Sequence, residues 1–145
     1  MDLRLVTISV PGSGMELSAP EEFFAFRALD EPGEARSSEH GALVRFGLVG
    51  RAASVFLSED SGEVFSGMTV ENLTLVNTSL ARFVECTRKL SALFPLYSSD
   101  SDFEEWERGA QRVQEVVGEI DPAAYFEGAF WYEFRWDVSM GDFHG

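Results

Sequence analysis

The residue types that most often act as nucleophiles are scarce in this sequence. Its single cysteine is Cys86, and its two histidines are His40 and His144. A cysteine nucleophile needs a base, usually histidine, within hydrogen-bond distance. Because Cys86 falls beside the apolar stripe of a predicted helix, an inert, buried thiol is the better interpretation. A lone cysteine cannot form an intramolecular disulfide, and the clustered Cys and His ligands of a zinc site are missing.

Adjacent carboxylates occur at Glu21-Glu22, Glu59-Asp60 and Glu104-Glu105. Glycoside hydrolysis uses two carboxyl groups held across a cleft, and neighbours in sequence do not establish that arrangement. With 25 Asp and Glu residues among 145, adjacent pairs arise by chance, so solvated surface is the better interpretation of each pair. We therefore expect no catalytic residues, no metal site and no cofactor, and we predict that the protein is not an enzyme.

The charge balance restricts the choice of partner. The 25 acidic residues face 11 basic ones, which gives a formal net charge of −14 at pH 7. Such a field repels nucleic acid and anionic membranes and attracts basic proteins. The basic residues form no stripe of the kind that binds nucleic acid. Two interpretations stay open, namely solubility alone and long-range steering toward a cationic protein.

Length and hydropathy indicate one domain over residues 1–145. A chain of this size buries roughly 70% of the surface that its unfolded form exposes, so it needs neither disulfide nor metal. The first apolar run is interrupted by Thr7 and Ser9 and stopped by Pro11, which is too short and too alternating for a secretion signal. No apolar stretch approaches the roughly 20 residues that span a bilayer. We expect a cytoplasmic protein.

The first 41 residues are predicted to contain a strand, a short helix and a loop. The β-branched run at residues 3–10 favours a strand. Ser18 and Glu21 have the spacing of a capping box, which predicts a short helix that continues to Arg27. The polar segment 30–41, punctuated by Pro and Gly, predicts a loop.

Four closely spaced segments with a period of two follow, and they predict an antiparallel meander. The segments are 43–49, 53–57, 63–66 and 73–76. Gly62 closes the turn between the second and third segments and occupies a position that favours positive φ. The predicted fold class is α+β, with a central, mostly antiparallel sheet flanked by C-terminal helices.

Two amphipathic helices are predicted after the meander. The first spans about residues 77–94 and stops at Pro95. The second begins with Ser101 as its cap and ends at Gly118. Its apolar face is formed by Phe103, Trp106, Ala110, Val113 and Val117. Asp121-Pro122 then predicts one further helical turn, with the Asp side chain as its cap.

The segment 130–138 supports two interpretations. Its aromatic residues alternate with polar ones, which by count favours a strand, yet its apolar residues also share one face of a helix. In a helix, Tyr132 and Trp136 lie four residues apart, away from the main apolar face, and are exposed. Exposed Trp and Tyr anchor protein interfaces, whereas packing in the core is the alternative role for both residues.

A second candidate for partner binding is the acidic turn between the second and third segments of the meander. Turns on a rigid sheet commonly carry recognition. The acidic group around Asp100 and Asp102 is explained by the dipole of the helix that it precedes, and no such explanation applies to the turn. The predicted partner-binding residues are therefore Glu59, Asp60, Glu63, Tyr132 and Trp136.

Three stretches also carry a family resemblance. They are the hairpin at 55–64, the segment 75–86 with its Val-Asn-Thr-Ser start and amphipathic helix, and Ile-Asp-Pro-Ala-Ala at 120–124 with the Trp-containing segment after it. In this order and spacing they resemble the SUKH superfamily of bacterial immunity proteins, especially its fourth family. The resemblance covers about residues 42–141, and the first 40 residues match it poorly.

The resemblance implies an α+β fold with a central sheet flanked by helices, and it implies that 130–138 is a helix. It implies no enzymatic activity and no cofactor. The implied role is to bind a cognate protein toxin and block its active site. Many such toxins are nucleases with basic grooves, which suits an acidic inhibitor. The alternatives are a regulatory or scaffold module of the same fold and a small-ligand carrier with a sheet-lined pocket.

Overall fold

The computed structural model describes residues 4–9, 16–93, 96, 98 and 100–141. The strands are β1 (Leu5–Ser9), β2 (Glu16–Pro20), β3 (Glu22–Phe23), β4 (Phe26–Ser37), β5 (Gly41–Val49), β6 (Ala53–Ser58), β7 (Val64–Thr69) and β8 (Asn72–Asn77). The helices are α1 (Leu80–Leu93), α2 (Phe103–Ile120), a 3-10 turn (Pro122–Ala124) and α3 (Phe130–Ser139). The predicted α+β class, a meander followed by C-terminal helices, is confirmed.

Strands β3 to β8 form one antiparallel sheet in sequence order, and β1 and β2 form a separate hairpin. The large sheet is strongly curled. The backbone N–H of Ser38, in the β4–β5 turn, donates to the Glu71 carboxylate in the β7–β8 turn over 3.1 Å. These two turns lie at opposite ends of their strands, so only a curled sheet brings them together. Bulges in β5 and β7 supply part of this curvature.

The core lies between one face of this sheet and the three helices. The sheet contributes Phe23, Phe26, Val44, Phe46, Val55, Leu57, Val64 and Val76, and the helices contribute Phe83, Leu90, Val113, Val117, Trp131, Phe134 and Val138. Gly47 allows close packing on β5, because a Cβ at this position would collide with the Phe26 ring. Burial of each large apolar side chain stabilises the fold by about 1.5–3 kcal/mol, and this fixes the helices on the sheet.

The predicted strand at 3–10 is confirmed over Leu5–Ser9, and positions 3 and 10 lie outside the described residues. The short helix predicted from Ser18 to Arg27 is wrong. Ser18 pairs with Thr7 in the β1–β2 hairpin. Phe23 pairs with Phe26 in a second hairpin, and both rings enter the core. Burial of these two rings and strand pairing outweigh a local capping pattern.

The loop predicted over 30–41 is also wrong, because β4 continues to Ser37 and pairs with β5. Pro32 is tolerated because the register shifts between Ala28 and Gly33, so no ladder hydrogen bond is required there. The predicted loop does end where the structure has a turn, because Gly41 has a φ of 71° and is the first residue of β5. The meander strands and the positive φ of Gly62, 78°, are confirmed.

The two long helices form where the periodicity predicts them, but their ends differ. The cap of α2 is Asp102 rather than Ser101, and its side chain accepts the backbone N–H of Glu105 over 3.0 Å. Gly118 does not end α2, which continues to Ile120. Phe103, predicted to face the core, is 75% exposed. The stop predicted at residue 95 lies outside the described residues.

The segment that supported both a strand and a helix is a helix, α3. The helix that the family resemblance implies is therefore confirmed, and the strand that the alternation favours is wrong. The reason is burial, because Trp131, Phe134 and Val138 recur at helical spacing and enter the core together. Among the helices of the described part of the chain, none is long and apolar enough to cross a membrane.

Candidate functional site

A buried polar network lies beneath α3 and joins three of the sequence motifs. The Asp121 carboxylate accepts hydrogen bonds from Asn77 Nδ2 at 3.0 Å and from the backbone N–H and hydroxyl of Thr78, both at 2.8 Å. The Arg82 guanidinium lies 3.5 Å from the same carboxylate. The indole N–H of Trp131 donates to Asn77 Oδ1 over 2.9 Å. The network therefore ties the end of β8 to the end of α2 and to α3.

The prediction that the Asp121 side chain caps the helical turn after it is wrong. The side chain makes no capping hydrogen bond to the turn Pro122–Ala124, and it is instead directed at residues more than 40 positions earlier. A fully buried carboxylate is tolerated only when it is paired and hydrogen-bonded. Charge-assisted hydrogen bonds of this kind are about twice as strong as neutral ones, so Asp121 fixes the position of α3.

Cys86 contacts the same network, and its surroundings make it unreactive. The thiol is fully buried, and Asn77 Nδ2 lies 3.6 Å from its sulfur. Burial raises the pKa of Cys86 to about 12, so the nucleophilic thiolate does not form at neutral pH. The predicted inert thiol is confirmed. His40 stacks on Phe65 instead, with ring centroids 4.2 Å apart, and His144 lies outside the described residues.

The outward side of α3, together with the residue that follows the helix, carries a row of partly or largely exposed apolar side chains, which we call the α3 ridge: Tyr132, Trp136 and Met140. Tyr132 is half-buried, whereas Trp136 is 45% exposed and Met140 is 68% exposed. The rings of Tyr132 and Trp136 lie 6.1 Å apart, and Tyr125 extends the row with its ring 5.8 Å from Tyr132. The spacing i, i+4 puts Tyr132 and Trp136 on one face of the helix, and Met140 follows directly after its end.

Arg135 supports the α3 ridge from the side. Its side chain is almost buried, pairs with both carboxylate oxygens of Glu107 and donates from Nε to Gln114 Oε1 over 3.3 Å. Its guanidinium carbon lies 4.7 Å from the centre of the Trp136 ring. A cation held above an aromatic face stabilises the pair by about 0.5–2 kcal/mol. Trp136 is therefore exposed yet fixed, which reduces the entropy that a binding partner would have to remove.

The acidic turn between β6 and β7 has a different kind of support. The backbone N–H of Glu59 donates to the Ala42 carbonyl over 3.0 Å, and Asp60 lies against Gly41 in the neighbouring turn. Glu59 and Asp60 are exposed, whereas Glu63 is half-buried. Among the ion pairs of the described residues, none includes these three acids. The turn thus holds exposed charge on a fixed backbone.

The structure does not bring the two predicted groups together. Over the ranges that the structure describes, the contacts of the acidic turn and those of the α3 ridge share no residue. The exposure expected for Trp136 in a helix is confirmed, but Tyr132 is half-buried rather than exposed. A role of these two side chains in binding stays a prediction. The same holds for Glu59, Asp60 and Glu63, whose place at the tip of a hairpin is confirmed.

A groove that the sequence did not reveal lies on the other flank of α3, between this helix and the β3–β4 turn. Its volume is about 300 Å³, and five phenylalanines line it. Ser66 and Thr74 line it from the sheet, and Glu133 and Asp137 line it from α3. The turn residue Phe24 has a φ of 53°, which no sequence pattern signals. The described residues contain no cluster of three or more side chains suited to a metal ion.

Comparison with known proteins assigns the chain to a family. The model of the SUKH-4 immunity protein family matches residues 11–137, which include all six strands of the large sheet and most of α3. The family likeness therefore begins well before residue 42, where the motifs alone had placed its start. No curated protein and no solved structure is significantly similar to the chain. Because the match covers most of its length, the chain belongs to the SUKH-4 immunity protein family.

Proposed function

We propose that this protein binds a cognate toxin domain and neutralises it by covering its active site. Membership of an immunity family supports a toxin as the partner. The net charge of −14 suits a toxin whose active site is basic, as in enzymes that cleave nucleic acids.

The exposed but fixed Trp136 carries this proposal. Interface hot spots are enriched in Trp, Tyr and Arg that are already held in their bound position. Trp136 lies between Tyr132 and the cation of Arg135, and both contacts restrict its ring. A contiguous exposed apolar patch marks an interaction site more often than a single exposed apolar residue does, and Trp136 belongs to such a row, which supports binding as its role. The proposed contact surface is therefore the α3 ridge.

Glu59, Asp60 and Glu63 act in this proposal as the steering part of the surface. Exposed charges at a hairpin tip raise the rate of encounter with a basic partner. They contribute less to the lifetime of the complex, because exposed ion pairs contribute only about 0–1 kcal/mol each. In this proposal the acidic turn thus speeds association with the toxin, and the α3 ridge slows its dissociation.

Co-expression with the toxin domain encoded beside this gene tests the proposal. We expect cells to grow when both proteins are made, to die when the toxin domain is made alone, and the two proteins to co-purify in a fixed ratio. If the product of the adjacent gene is not toxic, or does not bind this protein, the proposal is wrong.

A further inference from the structure

The groove beside α3 has an unusual turn as one of its walls. Phe24 is the only residue other than glycine, among those described, with a positive φ. A left-handed conformation costs a residue with a Cβ about 1–2 kcal/mol, and glycine or asparagine normally occupies such turn positions. The Phe24 ring packs 4.8 Å from Phe23 and 5.5 Å from Phe134. The fold thus retains a strained backbone that places an aromatic ring at the groove.

Backbone strain of this kind clusters at sites that hold a ligand. A glycine at position 24 would remove the strain, but it would also remove one wall of the groove. Three further aromatic rings of the lining, Phe26, Phe130 and Phe134, pack in or against the core. The groove is therefore preformed, since none of these rings has to move to open it.

The charges at the groove indicate what it can accept. Glu133 is exposed on its helical rim, and Asp137 lies one turn further along α3. Lys and Arg combine an apolar stem with a cationic head. Such a side chain would place its stem against phenylalanine rings and its head beside a carboxylate, where the hydrogen bond is charge-assisted. A fully apolar ligand would leave the acidic rim unused, and an anion would be repelled by it.

We propose that the groove receives an arginine or lysine side chain of the toxin, with its stem against the rings of Phe24 and Phe134 and its head at Glu133. This inference rests on the proposed function, because it takes the toxin as the partner. It also extends the contact surface, since the α3 ridge and the groove lie on adjacent sides of the same helix. The toxin would then contact α3 on two adjacent sides.

A small probe tests the groove without any toxin. The probe is n-butylguanidinium, and N-butylurea is its neutral analogue of similar shape. We expect n-butylguanidinium to cause saturable NMR shifts at the amides of Phe24, Glu133 and Phe134, and N-butylurea to bind at least about threefold more weakly, as an exposed ion pair would give. Equal binding of the two probes would indicate a site for apolar ligands and would overturn the proposal. Shifts spread over acids across the whole surface would overturn it as well.

Two matched variants locate the charge. Glu133→Gln removes the rim carboxylate, and Glu119→Gln removes an exposed carboxylate of α2 with the same change in net charge. We expect Glu133→Gln to weaken n-butylguanidinium binding about three- to fivefold and Glu119→Gln to leave it unchanged. Equal effects of both variants would show that only the overall charge matters, which contradicts a site.

The same pair of variants, measured with the toxin domain, separates this inference from the proposed function. We expect Glu133→Gln to weaken toxin binding about tenfold, as for loss of a charge partner at an interface, and Glu119→Gln to have little effect. If both variants bind the toxin as the parent protein does, the groove proposal is wrong and the proposed function stands. If the parent protein does not bind the toxin, the proposed function is wrong, and so is the toxin as the source of the basic side chain.

Discussion

The acidic β6–β7 turn and the α3 ridge are both exposed, but they are built in different ways. The turn carries Glu59 and Asp60 on a backbone fixed by hydrogen bonds within the turn and by one to the Ala42 carbonyl of β5. The ridge carries Tyr132 and Trp136 above two side-chain networks. Charge acts over the Debye length of about 8 Å at physiological salt, whereas an aromatic ring acts only in contact. Encounter with a partner and its retention can therefore be assigned to different parts of one surface.

The two regions also depend differently on the interior. Substitution in the acidic turn changes side chains that contact little else, so the fold should not respond. Substitution beneath the ridge affects Asp121, Asn77 and Trp131, which form one network.

Asp121→Ala should lower the free energy of unfolding by at least about 3 kcal/mol, because buried donors of Asn77 and Thr78 lose their acceptor. Urea denaturation measures this change. Asp60→Ala, in the acidic turn, is the control and should change stability by no more than about 0.5 kcal/mol. Similar losses in both variants would remove the contrast between the two regions.

Trp136→Ala should weaken toxin binding by about 2 kcal/mol, or roughly 30-fold, as expected for a hot-spot residue. Titration calorimetry measures the dissociation constant. Met68→Ala is the matched control, because Met68 is also a large exposed apolar residue, at 75%, but lies on β7. The ridge is not the contact surface if Trp136→Ala binds as tightly as Met68→Ala.

Salt should slow association with the toxin about tenfold between 0.01 and 0.15 M, because the Debye length falls from about 30 to 8 Å and steering is lost. The dissociation rate should change much less, since ring contacts are not screened. Stopped-flow kinetics at several salt concentrations measure both rates. An association rate that does not depend on salt would mean that the acidity serves solubility alone.

Replacing Glu59, Asp60 and Glu63 together with Ser should weaken toxin binding about tenfold, or 1.4 kcal/mol, mainly through slower association. Stability should change by no more than about 0.5 kcal/mol per site, as for ordinary surface positions. Surface plasmon resonance separates the two rates, and thermal unfolding provides the stability control. Unchanged affinity in this triple variant would leave the α3 ridge as the proposed site.

Much of the fold follows from local patterns. The meander and the helices α1 and α2 are predictable because periodicity within each segment matches the face that it buries. The exposure of Trp136 follows in the same way, once residues 130–138 are taken as a helix. These features depend on interactions between residues close in sequence, so they can be predicted from local sequence patterns.

The features that the sequence did not predict depend on distant partners. Ser18 and Glu21 have the spacing of a helix cap, yet Ser18 pairs with Thr7 because the hairpin packs on the sheet. The Asp121 carboxylate binds residues more than 40 positions earlier. The groove depends on the positive φ of Phe24, a strained state that only the surrounding contacts maintain. No local pattern contains this information.

Hydroxyl-radical footprinting of the complex with the toxin shows whether the α3 ridge is the contact surface, because it measures the oxidation of individual exposed Trp and Met side chains. We predict that Trp136 and Met140 are oxidised in the free protein and protected in the complex. Met68 is exposed on the sheet and should be oxidised equally in both. Equal oxidation of Trp136 in the free and bound protein would contradict the α3 ridge as the surface that holds the toxin.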